Sequence, residues 1–241
     1  MNTLLISDLH LDESRPAISR AFFDFLDREV NTTEALYILG DFFEVWLGDD
    51  EDSELAITLQ KTLKTFSDGG CALYFMHGNR DFLVGEGFAQ ATGAQLIPDP
   101  TVIDLYGEAV LLMHGDSLCT NDHDYMAFRE QARSAQWQQA VLAQPLAERR
   151  LLAAGIRHQS QSMNSLKAED IMDVTSAEVD RVMTEHRVQT LIHGHTHRPA
   201  THTLERSGQE AQRIVLGDWD EHGWCIRASA KHRCQLEKFR I

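Results

Sequence analysis

Thr3-Leu4-Leu5-Ile6-Ser7-Asp8-Leu9-His10 sets a short apolar run directly against a carboxylate and an imidazole. A run with apolar residues at successive positions has two faces to bury, as a central strand does in a layered fold. The design recurs along the chain. Ala35-Leu36-Tyr37-Ile38-Leu39 runs into Gly40-Asp41, and Leu73-Tyr74-Phe75-Met76 into His77-Gly78-Asn79-Arg80-Asp81. Val110-Leu111-Leu112-Met113 runs into His114-Gly115-Asp116, and Thr190-Leu191-Ile192 into His193-Gly194-His195-Thr196-His197. In α/β proteins, sites form beyond the carboxyl ends of such strands. Strand ends of one chemical type therefore predict one convergent site.

The segments between these runs are helical. From Pro16 to Glu29, Ala17, Ile18, Ala21, Phe22, Phe25 and Leu26 fall on one face at the 3.6-residue period. Leu55, Leu59, Leu63 and Phe66 do the same, and Val179, Val182 and Met183 mark a shorter helix. Strands alternating with helices predict a layered α/β fold. Near the end, Arg213–Leu216, Trp224–Ala228 and Gln235–Phe239 read as strands close in sequence, so the sheets are expected to be mixed. Residues from about Asn121 to Lys167 break the alternation with a strandless stretch rich in Gln, Ala, Arg and Leu. Pattern alone leaves two readings open, a helical lid over the site or a helical hairpin packed at the back.

The 241 residues, 43% hydrophobic and 24% charged, suffice for one large domain with a real core or two small ones. The N-terminus has no basic region ahead of its apolar run, which argues against a signal peptide. No apolar stretch approaches the roughly 20 residues of a spanning helix. Cys71, Cys119, Cys225 and Cys234 are far apart, with no C-x-x-C pair, and are expected to be free thiols in a reducing cytosol. A formal net charge of −15 disfavours binding to a nucleic-acid backbone. A phosphorylated substrate stays possible, since bound divalent cations reverse the local field.

Two closely spaced divalent ions need a bridging carboxylate and oxygen or imidazole donors around it. Asp8-x-His10 would put two side chains on the same side of an extended segment. Gly40-Asp41 lets a carboxylate follow a tight turn, Gly78-Asn79 supplies an amide oxygen, and His114 follows a strand. His195-x-His197 repeats the first spacing. Taken singly, such an Asp is more often a helix cap and such a His a hydrogen-bonded core residue. The ordered series D-x-H, G-D, G-N, H-G-D, G-H-T-H is a far stronger signal.

That series resembles the calcineurin-like metallophosphoesterases over most of the chain, from Asp8 to His197. The resemblance implies a single domain over residues 1–241, a mixed β-sheet sandwich flanked by helices. It also implies two divalent ions that activate the attacking hydroxide. Asp8, His10, Asp41 and His197 would hold one ion, and Asp41, Asn79, His114 and His195 the other, with Asp41 bridging. Many members carry a His after the Asn, able to protonate a leaving group. Here the residue is Arg80, which cannot act as an acid but can neutralise phosphate oxygens. Arg80 and Asp41 are thus the expected catalytic residues, and the bond broken is expected to be a phosphoanhydride, whose leaving phosphate needs no proton. The bland alternative is that Arg80 only pairs with Asp81 or Asp116.

Within the superfamily, Ile6–Leu11, Tyr37–Glu44, His77–Leu83, Met113–Asp116 and His193–Pro199 resemble the UDP-2,3-diacylglucosamine pyrophosphatases. That resemblance implies hydrolysis of a nucleotide-sugar lipid to 2,3-diacylglucosamine 1-phosphate (lipid X) and UMP in lipid A biosynthesis, with two manganese ions. It implies a peripheral protein on the cytoplasmic side of the bacterial inner membrane, with no nucleic acid and no obligate protein partner. Substrate contacts would fall on Asn79, Arg80, Asp122, Ser160, Asn164, Lys167 and His195. Four of these, Asp122, Ser160, Asn164 and Lys167, lie within 121–167 and favour the lid reading. The same stretch holds Arg149, Arg150 and Arg157 beside Leu142, Leu146, Leu151, Leu152 and Ile156. Such a helix could rest on an anionic membrane or pack against the body with its arginines in water. A soluble nucleotide pyrophosphatase or phosphodiesterase, and a metal-binding scaffold without activity, are the competing functions.

Overall fold

The computed structural model describes residues 1–164, 173–206 and 208–241, with side chains through residue 158 in the first span. The first half alternates strictly. β1 (Asn2–Ile6), α1 (Pro16–Glu29), β2 (Thr33–Leu39), α2 (Glu54–Asp68), β3 (Ala72–Met76), α3 (Glu86–Thr92) and β4 (Ala94–Ile97) follow one another. β1 to β4 pair in parallel, each beside its sequence neighbour. A second sheet is built from β5 (Thr101–Leu105), β6 (Glu108–Leu112), β7 (Thr190–His193), β8 (Ala200–Arg206) and β9 (Gln209–Val215), in the order β5-β6-β7-β9-β8. The chain then returns to the first sheet, where β10 (His222–Ala228) pairs antiparallel with β1 and β11 (Gln235–Arg240) pairs with β10.

The doubly apolar strands have a direct physical role. Leu4 and Ile6 of β1, Leu36 and Ile38 of β2, and Leu73 and Phe75 of β3 face outward against Phe22, Phe25, Leu59 and Leu63 of the helices. The alternate residues Leu5, Leu39 and Met76 face inward, against Val110, Leu112, Ile192 and Ile214 of the second sheet. On its other side that sheet packs Leu111 and Leu191 against Val179, Val182 and Met183 of a helix over Ser176–Glu185. Burial on both faces follows from four layers, helix on sheet on sheet on helix.

Among the described residues three α-helices lie between β6 and that last one: α4 (His123–Ala132), α5 (Ala135–Leu142) and α6 (Leu146–Asn164), with Ser176–Glu185 as α7. They stand beside the strand-end loops, not at the back. Tyr125 and Arg129 of α4 reach Asp116, Arg133 donates to the Gly78 carbonyl, and Arg157 of α6 reaches Glu44. The arginines that the sequence offered as a basic membrane face are engaged with the body. Arg149 is buried, its guanidinium donating to Leu47 O, Gln144 O and Asp50. Arg150 pairs with Glu51 and Asp52 at 2.8 and 2.6 Å. The helix packs against the body, one of the two readings of this face, but its arginines are not left in water as that reading had it, since Asp50, Glu51, Asp52 and Glu44 pair with them.

Candidate metal centre

Each predicted ligand lies just beyond a strand. The backbone there departs from the extended form expected for Asp8-x-His10. Asp8, His10, Asp41, His195 and His197 have φ of 56, 50, 50, 68 and 54°, in the left-handed region. For residues with a Cβ that conformation costs of order 1–3 kcal/mol each and collects at functional sites. Here it turns each side chain sharply off its strand axis into one cleft. The loops must also approach closely. A Cβ on Gly78 would collide with Asp41, and one on Gly194 with Ser7 and Asp8.

Two groups result. Asp8, His10 and His197 place donor atoms within 4.8 Å of one another, and so do Asp41, His114 and His195. Asp41 joins them, its Oδ2 4.0 Å from His10 Nε2 and its Oδ1 3.7 Å from His114 Nε2. Asn79 belongs to the second group, its Oδ1 3.0 Å from His114 Nε2 and 2.8 Å from His195 Nδ1. The two histidines of His195-x-His197 therefore serve different groups, His197 the first and His195 the second.

The donor chemistry fits cations. His114 Nδ1 lies 2.9 Å from the Leu39 carbonyl, which can only accept, so in the neutral ring Nε2 presents a lone pair. In that form Nε2 and the oxygens of Asn79 and Asp41 converge as lone-pair donors that one cation could share. Asp8 Oδ2 accepts from Ser7 Oγ and His195 N, whereas its buried Oδ1 has no hydrogen-bond partner among the described residues. An orphaned buried carboxylate oxygen among imidazoles is a natural cation seat.

The electrostatics show how tightly the groups are coupled. Burial drives the Asp41 carboxyl up to about 6, helped by Asp81 and Asp8 and opposed by His114 and His10. Burial also pushes Asp8 upward, but contact with His197 and the charges of His114 and His10 outweigh it and hold the carboxyl below its usual range. His114 rises to about 9, against burial, through Asp41, Asp116 and Asp8. His195 falls to about 3 because it is buried and lies beside His114.

Several supporting residues receive no role at the centre from the sequence pattern. Buried Asp81 accepts from Gly78 N and Phe42 N at 2.8 Å each and from Asp41 N at 3.3 Å, tying the loops after β2 and β3 together. Asp116 binds Tyr125 and Arg129 of α4. Asp218 Oδ2 lies 3.6 Å from His197 Nδ1. Glu44 Oε2 lies 2.9 Å from His10 Nδ1, a close contact in which the ring N–H is not aligned for a straight hydrogen bond. Arg80 pairs with neither Asp81 nor Asp116. Its Nη1 is 3.6 Å from Glu44, its backbone N–H donates to Asp41, and its buried Nε has no partner among the described residues.

Of the expected substrate contacts, Asn79, Arg80 and His195 meet at the centre. Asp122 is buried at the N-cap of α4, accepting from Tyr125 N at 3.1 Å. Lys167, and the side chains of Ser160 and Asn164, lie outside what the structure describes. No helix among the described residues is long and apolar enough to cross a membrane.

Comparison with known proteins places these features in context. The sequence pattern of the calcineurin-like phosphoesterases matches residues 1–199. A UDP-2,3-diacylglucosamine hydrolase of Cellvibrio japonicus is 61% identical over 230 residues, 95% of this chain and 96% of its own length. One of Chromohalobacter salexigens is 53% identical over 240 residues, 99% of this chain and 98% of its own. Among solved structures, an archaeal phosphodiesterase superposes with a TM-score of 0.52 at 12% identity over the full length of both chains, a likeness of fold.

Proposed function

The chain belongs to the calcineurin-like phosphoesterases, and from that premise we propose that it hydrolyses the pyrophosphate bond of UDP-2,3-diacylglucosamine, giving lipid X and UMP. The observation that carries the reading is the centre itself. Two donor groups meet on one carboxylate, and the residue beside them is a guanidinium where a proton donor would otherwise stand. The high identity to hydrolases of that name supports the substrate.

Two divalent ions, manganese by the resemblance, would be held by Asp8, His10, Asp41 and His197 and by Asp41, Asn79, His114 and His195. When bound, such a pair supplies a nucleophile at neutral pH and neutralises charge on the phosphoryl oxygens. The chain's own residues do the rest. Arg80 binds the diphosphate with its guanidinium and takes up charge as the bond stretches. No proton has to reach the leaving phosphate. Asp81 holds Asp41 and Arg80 in register through the backbone N–H groups around them. The helices α4 to α6 act as a lid, with Asp122, Ser160, Asn164 and Lys167 contacting the substrate's sugar and nucleotide. Exposed Leu142 and Leu151 give the lid an apolar rim for acyl chains and for peripheral contact with the cytoplasmic face of the inner membrane.

The test is incubation with UDP-2,3-diacylglucosamine and manganese in mixed micelles, following UMP. The expected result is UMP from the acylated substrate and little from unacylated UDP-sugars. Equal cleavage of both would move the reading to a soluble nucleotide pyrophosphatase.

A further inference from the structure

Glu44 is the point where the candidate centre and the helices above it meet. It follows the loop that carries Asp41, and its backbone N–H donates to Leu11 O beside a bridge between Leu11 and Phe43. The loop after β1 and the loop after β2 are thereby locked together, and the side chain is 9% exposed. Its two oxygens face different ways. Oε2 lies 2.9 Å from His10 Nδ1, the ring nitrogen remote from Asp41. Oε1 lies 2.8 Å from an Nη atom of Arg157, one helix away on α6, and 3.6 Å from Arg80 Nη1. One buried carboxylate thus compensates two guanidinium groups and orients an imidazole. Without it the two cations would repel, and His10 would lose the carboxylate against which its Nδ1 is seated.

We propose that Glu44 is a positioning residue with two duties, seating His10 for its metal ion and docking α6 over the centre through Arg157. The inference rests on the metal reading above. The pairing of duties follows from geometry, since the oxygens are separate and neither partner displaces the other. It also gives Arg157 a role that its partly exposed neighbour Arg150, paired to the peripheral Glu51 and Asp52, does not have.

The experiment compares wild type, Glu44→Gln, Arg157→Gln and the double variant. Manganese affinity is read by electron paramagnetic resonance of the free ion, and α6 docking by amide hydrogen exchange over 146–158. Glu44→Gln is expected to weaken manganese binding roughly 10–100-fold, the usual effect of removing a carboxylate behind a ligating imidazole, and to speed exchange in α6. Arg157→Gln, on a half-exposed residue, is expected to speed α6 exchange to the same degree while changing manganese affinity about threefold or less. The double variant should exchange no faster than Glu44→Gln alone, because both changes break one contact. Wild-type manganese affinity in a folded Glu44→Gln protein, or α6 exchange unchanged in Arg157→Gln, would overturn the proposal. If wild type itself bound no manganese, it is the metal reading that would fail.

Discussion

Arg80 follows Asn79, donates its backbone N–H to Asp41 at 2.8 Å, and keeps a buried Nε without a partner among the described residues. The backbone contact holds Arg80 beside the centre, with its Nη1 3.6 Å from Glu44, and the proposed role of its guanidinium is to bind the diphosphate. A charge-assisted contact that strengthens in the transition state is typically worth ~10²–10³ in rate. Arg80→Ala is therefore expected to lower kcat on the nucleotide lipid by that order, with manganese content unchanged in elemental analysis. Arg80→His should not rescue it, since a phosphate leaves without needing a proton. Rescue to wild-type rate would mean that an imidazole serves here as well as the guanidinium, and the argument from the absent acid would fail. Arg80 is legible in the sequence because a residue type departs from a spaced motif. Glu44, Asp81 and Asp218 are silent there because their roles depend on which loops touch, and no spacing records that.

At the scale of elements, α1 is joined to the far end of the chain. Glu29 in its last turn accepts two hydrogen bonds of 2.9 Å from Arg227 on β10, and Arg227 also binds Glu237 of β11. The Arg227 contact holds the Glu29 carboxyl below its ordinary 4.5. A carboxyl depressed in the folded state contributes stability that is present above its unfolded value and lost as pH falls through its folded one. Glu29→Gln is expected to cost about 1–2 kcal/mol at pH 7, a partly screened charged hydrogen-bond pair. The gap between the variant and wild type in urea denaturation should shrink as pH drops below 4.5. A gap independent of pH would mean that packing, not charge, holds α1 there. The strands and helices with strong apolar periods, β1 to β3, β6, β7, α1, α2 and α7, are legible in the sequence from residue spacing alone. The edge strand β8 is not, because its side chains Thr201, His202 and Thr203 are exposed and polar, and β4 and β5 pack too few apolar residues to stand out. The insertion is helical, as its strandless composition predicts, but its arginines mislead. Composition counts Arg149, Arg150 and Arg157 as a basic island, whereas their acidic partners Glu44, Asp50, Glu51 and Asp52 lie about a hundred residues earlier in the chain.

On the scale of the whole molecule, the centre sits across the seam between the two sheets. Loops after β1, β2 and β3 supply Asp8, His10, Asp41 and Asn79, and loops after β6 and β7 supply His114, His195 and His197. Ions bound there would tie the sheets together at one end of their shared apolar core, and a ligand that binds only the folded state stabilises it by mass action. At a hundred times the dissociation constant the gain is about 2.7 kcal/mol, which for a chain of this size raises Tm by roughly 5–10 °C. Manganese is expected to produce such a rise in scanning calorimetry, and a chelator to remove it. Asp41→Ala should lose most of the response, since both donor groups share that carboxylate. The metal-free state makes a sharper demand. Burial drives the Asp41 carboxyl up to about 6, so without cations its charge is held there at a cost. Against this stand one hydrogen bond from Arg80 N and the nearby charges of His114 and His10, which reduce the cost without cancelling it. The cost outweighs the gain, and metal-free Asp41→Ala is expected to melt at or above metal-free wild type. A variant several degrees less stable than wild type in chelator would show that Asp41 holds the fold together as much as it serves the site.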